Sequence, residues 1–459
     1  MMAALGYTVV LMLAISMVIC YRRPSFAFVL VLILYPLKQL QMTYLPVFLQ
    51  HSSWFNYIIC AGVAIAAISN ISRDRTALIG YWNKFIGLLL FLYLFAWFAI
   101  LYSPSPEFAF DRARDGAPYW AMQMLLLPLV FSSARDIEKV FMPFLILGSV
   151  VIVLFLTNPG SSFLNGRLTL QIGYFEGVQD YRGNPLATAQ MGGTLAVVAA
   201  LMRPNRAAMI WNLIRLGAVF LGLGIAIAAG SRGQLILAML TIALFWPLAR
   251  RVHNVKQFFA TVVGMGAIAG VSLVALRFFM GQNVEQSQRW DPSHQVETVL
   301  ERARAASRLL EELANQPAKW LFGLGTNAYS AISGEKHSYA HNLFVEMLGE
   351  LGILGLTCSI VLVIWGYKHC KELWLYHRDA GAERTSTAVL IAMCTYNMLL
   401  TMKQGTFVSI PDAWFVLAIA CKLVYVDRAA WRAYDPALLV SDSITHYGEE
   451  DSGPAQASA

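Results

Sequence analysis

Residues 334–356 read GEKHSYAHNLFVEMLGELGILGL, and the change of character inside that stretch decides the fold. It opens as a polar segment with two histidines, His337 and His341, and turns into an apolar segment whose first turns carry Glu346 and Glu350. The apolar run continues to about residue 366, long enough to cross a bilayer as a helix. Titratable groups at the mouth of a membrane span are costly to keep there, so they mark a functional site by default.

The rest of the chain has the same character. Of its 459 residues 58% are hydrophobic and only 13% charged, with a mean hydropathy of +0.56, where a soluble protein is about a quarter charged. Apolar runs recur at about 4–20, 25–40, 54–71, 84–104, 118–132, 139–156, 186–203, 212–229, 234–249, 257–280, 341–366, 386–402 and 410–426. Several are short for a span of roughly 17–25 residues. The expectation is an all-α, polytopic helical membrane protein with about twelve transmembrane helices. A long, partly helical loop precedes the third-last or second-last span. The run at 4–20 lacks a basic leader and a small-residue cleavage site, so it reads as a retained span.

Charge sets the orientation. Arg22/Arg23, Arg73/Arg75, Arg135/Lys139, Arg203/Arg206, Arg250/Arg251 and Lys368/Lys371/Arg378/Arg384 fall in alternate connections, which the positive-inside rule places in the cytoplasm. The opposite set is roughly 105–117, 157–185, 230–233, 281–340 and 403–409. The reading is one membrane domain, 1–426, with outward loops at about 157–185 and 281–340, and a polar cytoplasmic tail at 427–459. The net charge of +7 is explained by these loops and does not point to nucleic acid. Cys20, Cys60, Cys358, Cys370, Cys394 and Cys421 form no C-x-x-C pair and no disulfide framework; all but Cys370 read as small buried hydrophobes within spans.

Within the longer outward loop, Val296, Val299, Leu300, Ala303, Leu309, Leu310 and Leu313 recur at helical intervals between charges. That pattern reads as an amphipathic helix at or near the membrane surface. Beyond it come Trp320 and a turn at 323–327. The shorter outward loop is rich in glycine and asparagine and ends at Asn184-Pro185, a turn followed by a helix start.

The residues that carry chemistry lie on that outward set. An imidazole titrates near neutrality and takes a proton from a hydroxyl as general base, which makes His337 and His341 candidates; either could instead cap the helix or hold a loop carbonyl. Two histidines with Glu346 could ligate a metal, but the carboxylate sits a turn deeper, so no metal is expected. Asn342 and Glu346 are four apart on one helix and read as structural support. Arg232 stands in the tight turn Gly230-Ser231-Arg232-Gly233. A guanidinium there can hold a phosphate bidentately or snorkel to lipid headgroups. Arg167 and Arg182 offer a further anion site beside a helix N-terminus, or ion pairs with Glu176 and Asp180. Arg112 and Arg114, in DRARDG, and Arg289 and Arg308, in the long loop, are candidate donor or acceptor contacts, with an interfacial or solvated face as the bland alternative. There is no Walker motif, no nucleotide-binding glycine fingerprint, no G-x-S-x-G and no outward Asp-x-Asp pair. Energy for a reaction would therefore come from the substrate.

His337-Ser-Tyr-Ala-His341-Asn342, followed by Glu346, Glu350 and Gly352-Ile-Leu-Gly355, resembles the signature of the O-antigen ligase and polymerase superfamily. The Ser231-Arg232-Gly233 turn and the Arg167 loop leading to Asn184-Pro185 are similar to two further features of that superfamily, so the resemblance spans roughly 160–366. It implies an enzyme of the bacterial inner membrane, with its active site facing the periplasm and no cofactor. Such an enzyme moves an oligosaccharide from an undecaprenyl-diphosphate donor to an acceptor hydroxyl. His337 would be the base with His341 assisting, and Arg232 with Arg167 or Arg182 would hold the diphosphate. A ligase that uses lipid A-core as acceptor is favoured over a polymerase or a protein O-oligosaccharyltransferase. From other classes, a transporter or flippase would need ionisable groups at mid-membrane and repeats that the sequence does not display. A non-catalytic envelope scaffold would tolerate loss of the histidines.

Overall fold

Inside a bilayer every backbone N–H and C=O must be satisfied within its own segment, and apolar sequences of this length meet that demand as helices. The computed structural model describes residues 2–172, 182–203, 209–250, 254–280, 292–335, 338–403, 406–408 and 411–434, and it is all-helical apart from one small hairpin. The N-terminal helices are α1 (Met2–Arg22), α2 (Phe26–Tyr44), the short α3 (Pro46–Gln50), α4 (Ser52–Arg73), α5 (Lys84–Phe98), α6 (Pro106–Trp120) and α7 (Ala134–Leu156). The strands β1 (Ser161–Leu164) and β2 (Arg167–Leu170) follow. Next come α8 (Pro185–Leu201), α9 (Met209–Ala228), α10 (Arg232–Arg250) and α11 (Val255–Met280). The long loop contains α12 (Pro292–Ala314) and α13 (Ala328–Ser333), and the chain closes with α14 (Leu343–His377), α15 (Gly381–Thr401) and α16 (Asp412–Tyr434).

Among the described residues, eight segments are long and apolar enough to cross a membrane: α2, α4, α5 with its extension to Tyr102, α7, α9, α10, the Val255–Val274 part of α11, and α14. The molecule is an integral membrane protein. The apolar run at 118–132 is not a regular helix: α6 ends at Trp120 and passes through a wide turn (Ala121–Leu126) and a tight one (Leu127–Val130). Pro118 and Pro128 each remove a backbone donor there. Helix α14 continues well past residue 366, so Cys370 lies buried inside a helix rather than in a connection.

The core is built around α8, α15 and α16, where residues 412–424 are buried without a break. Helices α8 and α9 cross closely at Gly192 and Gly222: a Cβ on either would meet the other's carbonyl oxygen at 2.7 and 2.4 Å. Small residues at such a crossing let backbones approach in the absence of a hydrophobic drive between helices.

Hydrogen bonds tie the basic connections together at one end of the bundle. Arg73 donates to the Arg22 carbonyl at 2.8 Å, Arg135 pairs with Glu383, Arg250 donates to Met202 at 3.0 Å and Arg384 to Leu248 at 2.9 Å. At the other end Gln39 donates to Asn184 at 3.2 Å, Ser103 to Thr326 at 2.7 Å and Lys403 to Gln234 at 3.0 Å. The candidate site belongs to this second end.

Candidate functional site

The stretch that opened the sequence reading enters α14 through a helix cap. Asn342 has extended backbone angles, and its Oδ1 accepts from the N–H groups of Phe344 and Val345 at 3.1 and 3.2 Å. A cap of this kind satisfies donors that the first turn leaves orphaned. One residue earlier, His341 has φ of +57°, a left-handed conformation that side chains adopt at a cost and that concentrates at functional sites. Its ring packs against Tyr339, centroids 4.2 Å apart, and its Nδ1 is buried with no partner among the described residues. Burial is the main reason its imidazole is held below the usual pKa; the Arg302 cation adds to the effect, the Lys403 backbone opposes it, and the Lys403 charge adds again. His337 lies outside the described residues, as do Arg289, Glu176 and Asp180.

Behind the cap, Glu346 and Glu350 face inward from adjacent turns and are almost wholly buried, 1% and 5% exposed. Glu350 accepts from the Asn327 N–H at 2.7 Å, at the start of α13. Glu346 Oε1 accepts from the Phe407 N–H at 3.0 Å, while its Oε2 is buried with no partner among the described residues. Arg112 acts electrostatically on both carboxylates. It donates to Asn327 Oδ1 at 3.3 Å and lies 6.0 Å from the centre of the Tyr339 ring. The result is a layered cluster: two carboxylates below, a guanidinium beside them, and the Tyr339–His341 ring pair above.

A break in α14 fixes this arrangement. Gly352 has φ 70° and ψ −166° in mid-helix, a combination essentially confined to glycine. The carbonyls and amides freed by the break bond to the segment before α13: Leu324 N–H donates to Gly349 at 2.8 Å, Gly325 to Glu350 at 2.9 Å, and Ile353 to Trp320 at 2.9 Å. Gly323 and Gly352 touch, so a Cβ on Gly352 would meet the Gly323 nitrogen at 2.5 Å. Helix α12 covers the first half of α14. Leu309 is fully buried against Gly349, whose Cβ would meet the Leu309 side chain at 2.5 Å. Ala305, Leu309 and Leu313 thus pack on protein, while Val296, Val299 and Leu300 stay exposed.

Arg232 is the first residue of α10, directly after the Gly230 turn (φ 61°). Its neighbour Gly233 lies under Lys403, whose Nζ a Cβ would meet at 2.2 Å, and the same ammonium donates to Gln234 Oε1 at 3.0 Å. Since Lys403 also acts on His341, it links the start of α10 to the histidine loop. Sequence reading had not singled out Lys403. The signal was present: it is a basic residue in a connection that the charge pattern expects to face outward, the same exception to the positive-inside rule that singled out Arg232.

Arg167 opens the second strand of the small hairpin, and Arg182 lies beyond it. The strands pair Ser161 with Leu170 through Leu164 with Arg167, closed by Asn165 and Gly166 at φ 50° and 67°. Arg182 bridges to Gln171 and donates to Ser162 Oγ at 2.7 Å, and Arg167 Nε is buried with no partner among the described residues. Asn184 then caps α8, accepting from Leu186 at 2.9 Å with Pro185 in the first turn. The other sequence candidates lie apart: Arg114 pairs with Asp111 and Asp115 at 3.1 and 3.6 Å, and Arg308 is exposed on α12. Among the described residues no group of three or more His, Cys, Asp or Glu side chains comes together as a metal site.

No curated protein matches the chain. A family model described as O-antigen ligase matches residues 216–360, from within α9 to within α14. That segment includes Arg232, His337, His341, Asn342, Glu346 and Glu350, and it leaves Arg112, Arg167, Arg182 and Lys403 outside. This match over residues 216–360 is in line with the O-antigen ligase and polymerase superfamily.

Proposed function

We propose that this protein is an O-antigen ligase of the bacterial inner membrane, transferring glycan from undecaprenyl diphosphate to a sugar hydroxyl of lipid A-core at its periplasmic face. The observation that carries the reading is the gathering of His341, Arg112, two buried carboxylates, Lys403 and the Arg232 turn at the end of the bundle away from most basic connections. Four further helices, α1, α8, α15 and α16, join the eight apolar spans to give about twelve crossings.

In the reaction the acceptor oxygen attacks the anomeric carbon as the carbon–oxygen bond to the diphosphate breaks, so a single displacement inverts the configuration. His337 takes the hydroxyl proton and His341 orients it. The departing undecaprenyl diphosphate gains charge, which Arg232, with Arg167 and Arg182, stabilises in a site of low dielectric. Arg112 offsets the charge of Glu346 and Glu350 and keeps the cluster from repelling a diphosphate. An apolar cleft of about 330 Å³ between α5 and α6, lined by Tyr93, Trp97, Trp120 and Met124, suits the lipid chain of such a carrier. It adjoins the site through Trp120, whose ring packs on Phe407 at 5.0 Å. No metal or cofactor takes part.

His337→Ala is expected to lower transfer by about 10²–10⁴-fold and Arg232→Ala by about 10²–10³-fold. Both should leave the protein inserted, with cells that lack capped lipopolysaccharide on electrophoresis. Wild-type capping in both variants contradicts the reading.

A further inference from the structure

Asp412, the first residue of α16, lies 7% exposed in the bundle. Gln190 donates to its Oδ2 at 2.9 Å and Gln123 to its Oδ1 at 3.3 Å, and no ion pair to it forms among the described residues. A buried carboxylate without a counter-charge is expensive in a membrane protein. Beside it is a cavity of about 30 Å³ lined by Tyr35, Gln123, Gln190, Thr194, Asn397 and Asp412 among others. The volume suits one small guest. Gln123 is 1% exposed, and its Oε1 has no partner among the described residues. Gln190 also donates to Asn397 Oδ1 at 3.4 Å, and Thr194 has given its proton to the Gln190 carbonyl at 3.0 Å, leaving its oxygen as an acceptor. The lining is therefore rich in oxygen: one carboxylate, amide carbonyls, a hydroxyl and a phenol. Hard monovalent cations choose such donors, as the harder divalent ions do.

We propose that this cavity is a monovalent-cation site of sodium's size, in which one ion neutralises Asp412 and draws together α2, α8, α15, α16 and the turn carrying Gln123. The site takes no part in glycan transfer and stands whatever reaction the protein performs. Sodium and choline chloride at equal ionic strength distinguish it from a general salt effect. Full-length protein in detergent should show a Tm that rises with sodium and saturates, and radioactive sodium should bind at one ion per chain. Asp412→Asn, a neutral isostere, should lose both the sodium-dependent Tm and the binding. Gln123→Leu should keep the fold and move the half-saturating sodium concentration upward by about tenfold or more, equivalent to about 1.4 kcal/mol. Equal wild-type Tm in sodium and choline with no bound sodium overturns the proposal; that result leaves a protonated carboxylate beside a water. A sodium response unchanged in Asp412→Asn overturns it as well.

Discussion

His341 shows how much one residue's setting adds to its identity. The sequence names an imidazole near a helix start; the structure adds a left-handed backbone, a Tyr339 ring and the cations of Arg302 and Lys403. Because its folded pKa is depressed, chiefly by burial, the folded protein binds a proton there less readily than the unfolded chain, which titrates near about 6.5. The corresponding stability is present above that pH and is lost as pH falls below it. Tm measured from about pH 7.5 to about pH 5 should therefore fall more steeply for wild type than for His341→Gln. Parallel curves would show that the imidazole titrates freely. Lys403 marks the limit of residue-level reading. Its charge in an outward connection was legible, but only the fold shows that it lies over Gly233 and reaches toward His341.

At the scale of elements, most helices were legible because apolar runs of spanning length have one stable solution in lipid. Three departures have physical causes. The run at 118–132 is broken by prolines, α14 carries buried residues such as Cys370 and His377 well beyond the apolar stretch, and Asn165-Gly166, a hairpin signal, closes a short β-hairpin inside the loop at 157–185. The break at Gly352 was not foreseen, since a glycine inside an apolar run does not declare its backbone angles. Gly352→Ala should cost about 1–3 kcal/mol for the conformation alone and more for the contact with Gly323. Gly381→Ala, at φ 47° with nothing within 4 Å of its Cβ, carries only the backbone cost and serves as the control. A Tm loss no larger for Gly352→Ala than for Gly381→Ala would count against the packed break. Helix α12 forms a small cluster of its own with α13 and the first half of α14. Leu309→Ala should loosen it by about 2–5 kcal/mol. Hydrogen exchange should quicken in α12 while the main bundle keeps its protection; uniform loss across all helices would place α12 in the main core instead.

For the whole molecule, contacts gather Arg22, Arg73, Arg250 and Arg384 at one end of the bundle and the candidate site at the other. The six native cysteines are buried or half-buried, so single exposed cysteines report orientation cleanly. An impermeant thiol reagent should label Glu335→Cys from the periplasm of cells with a permeabilised outer membrane, and Arg203→Cys only after lysis; the reverse pattern would invert the topology. The approach of Arg112 to both glutamates could not be read from spacing, because it joins distant parts of the chain. The most direct test incubates the purified protein in liposomes with undecaprenyl-diphosphate-linked glycan and lipid A-core, and follows which acceptor is consumed. The account predicts glycan-extended lipid A-core without added nucleotide or metal, abolished in His337→Ala; lipid-linked chains that lengthen on one another while lipid A-core stays untouched would contradict it.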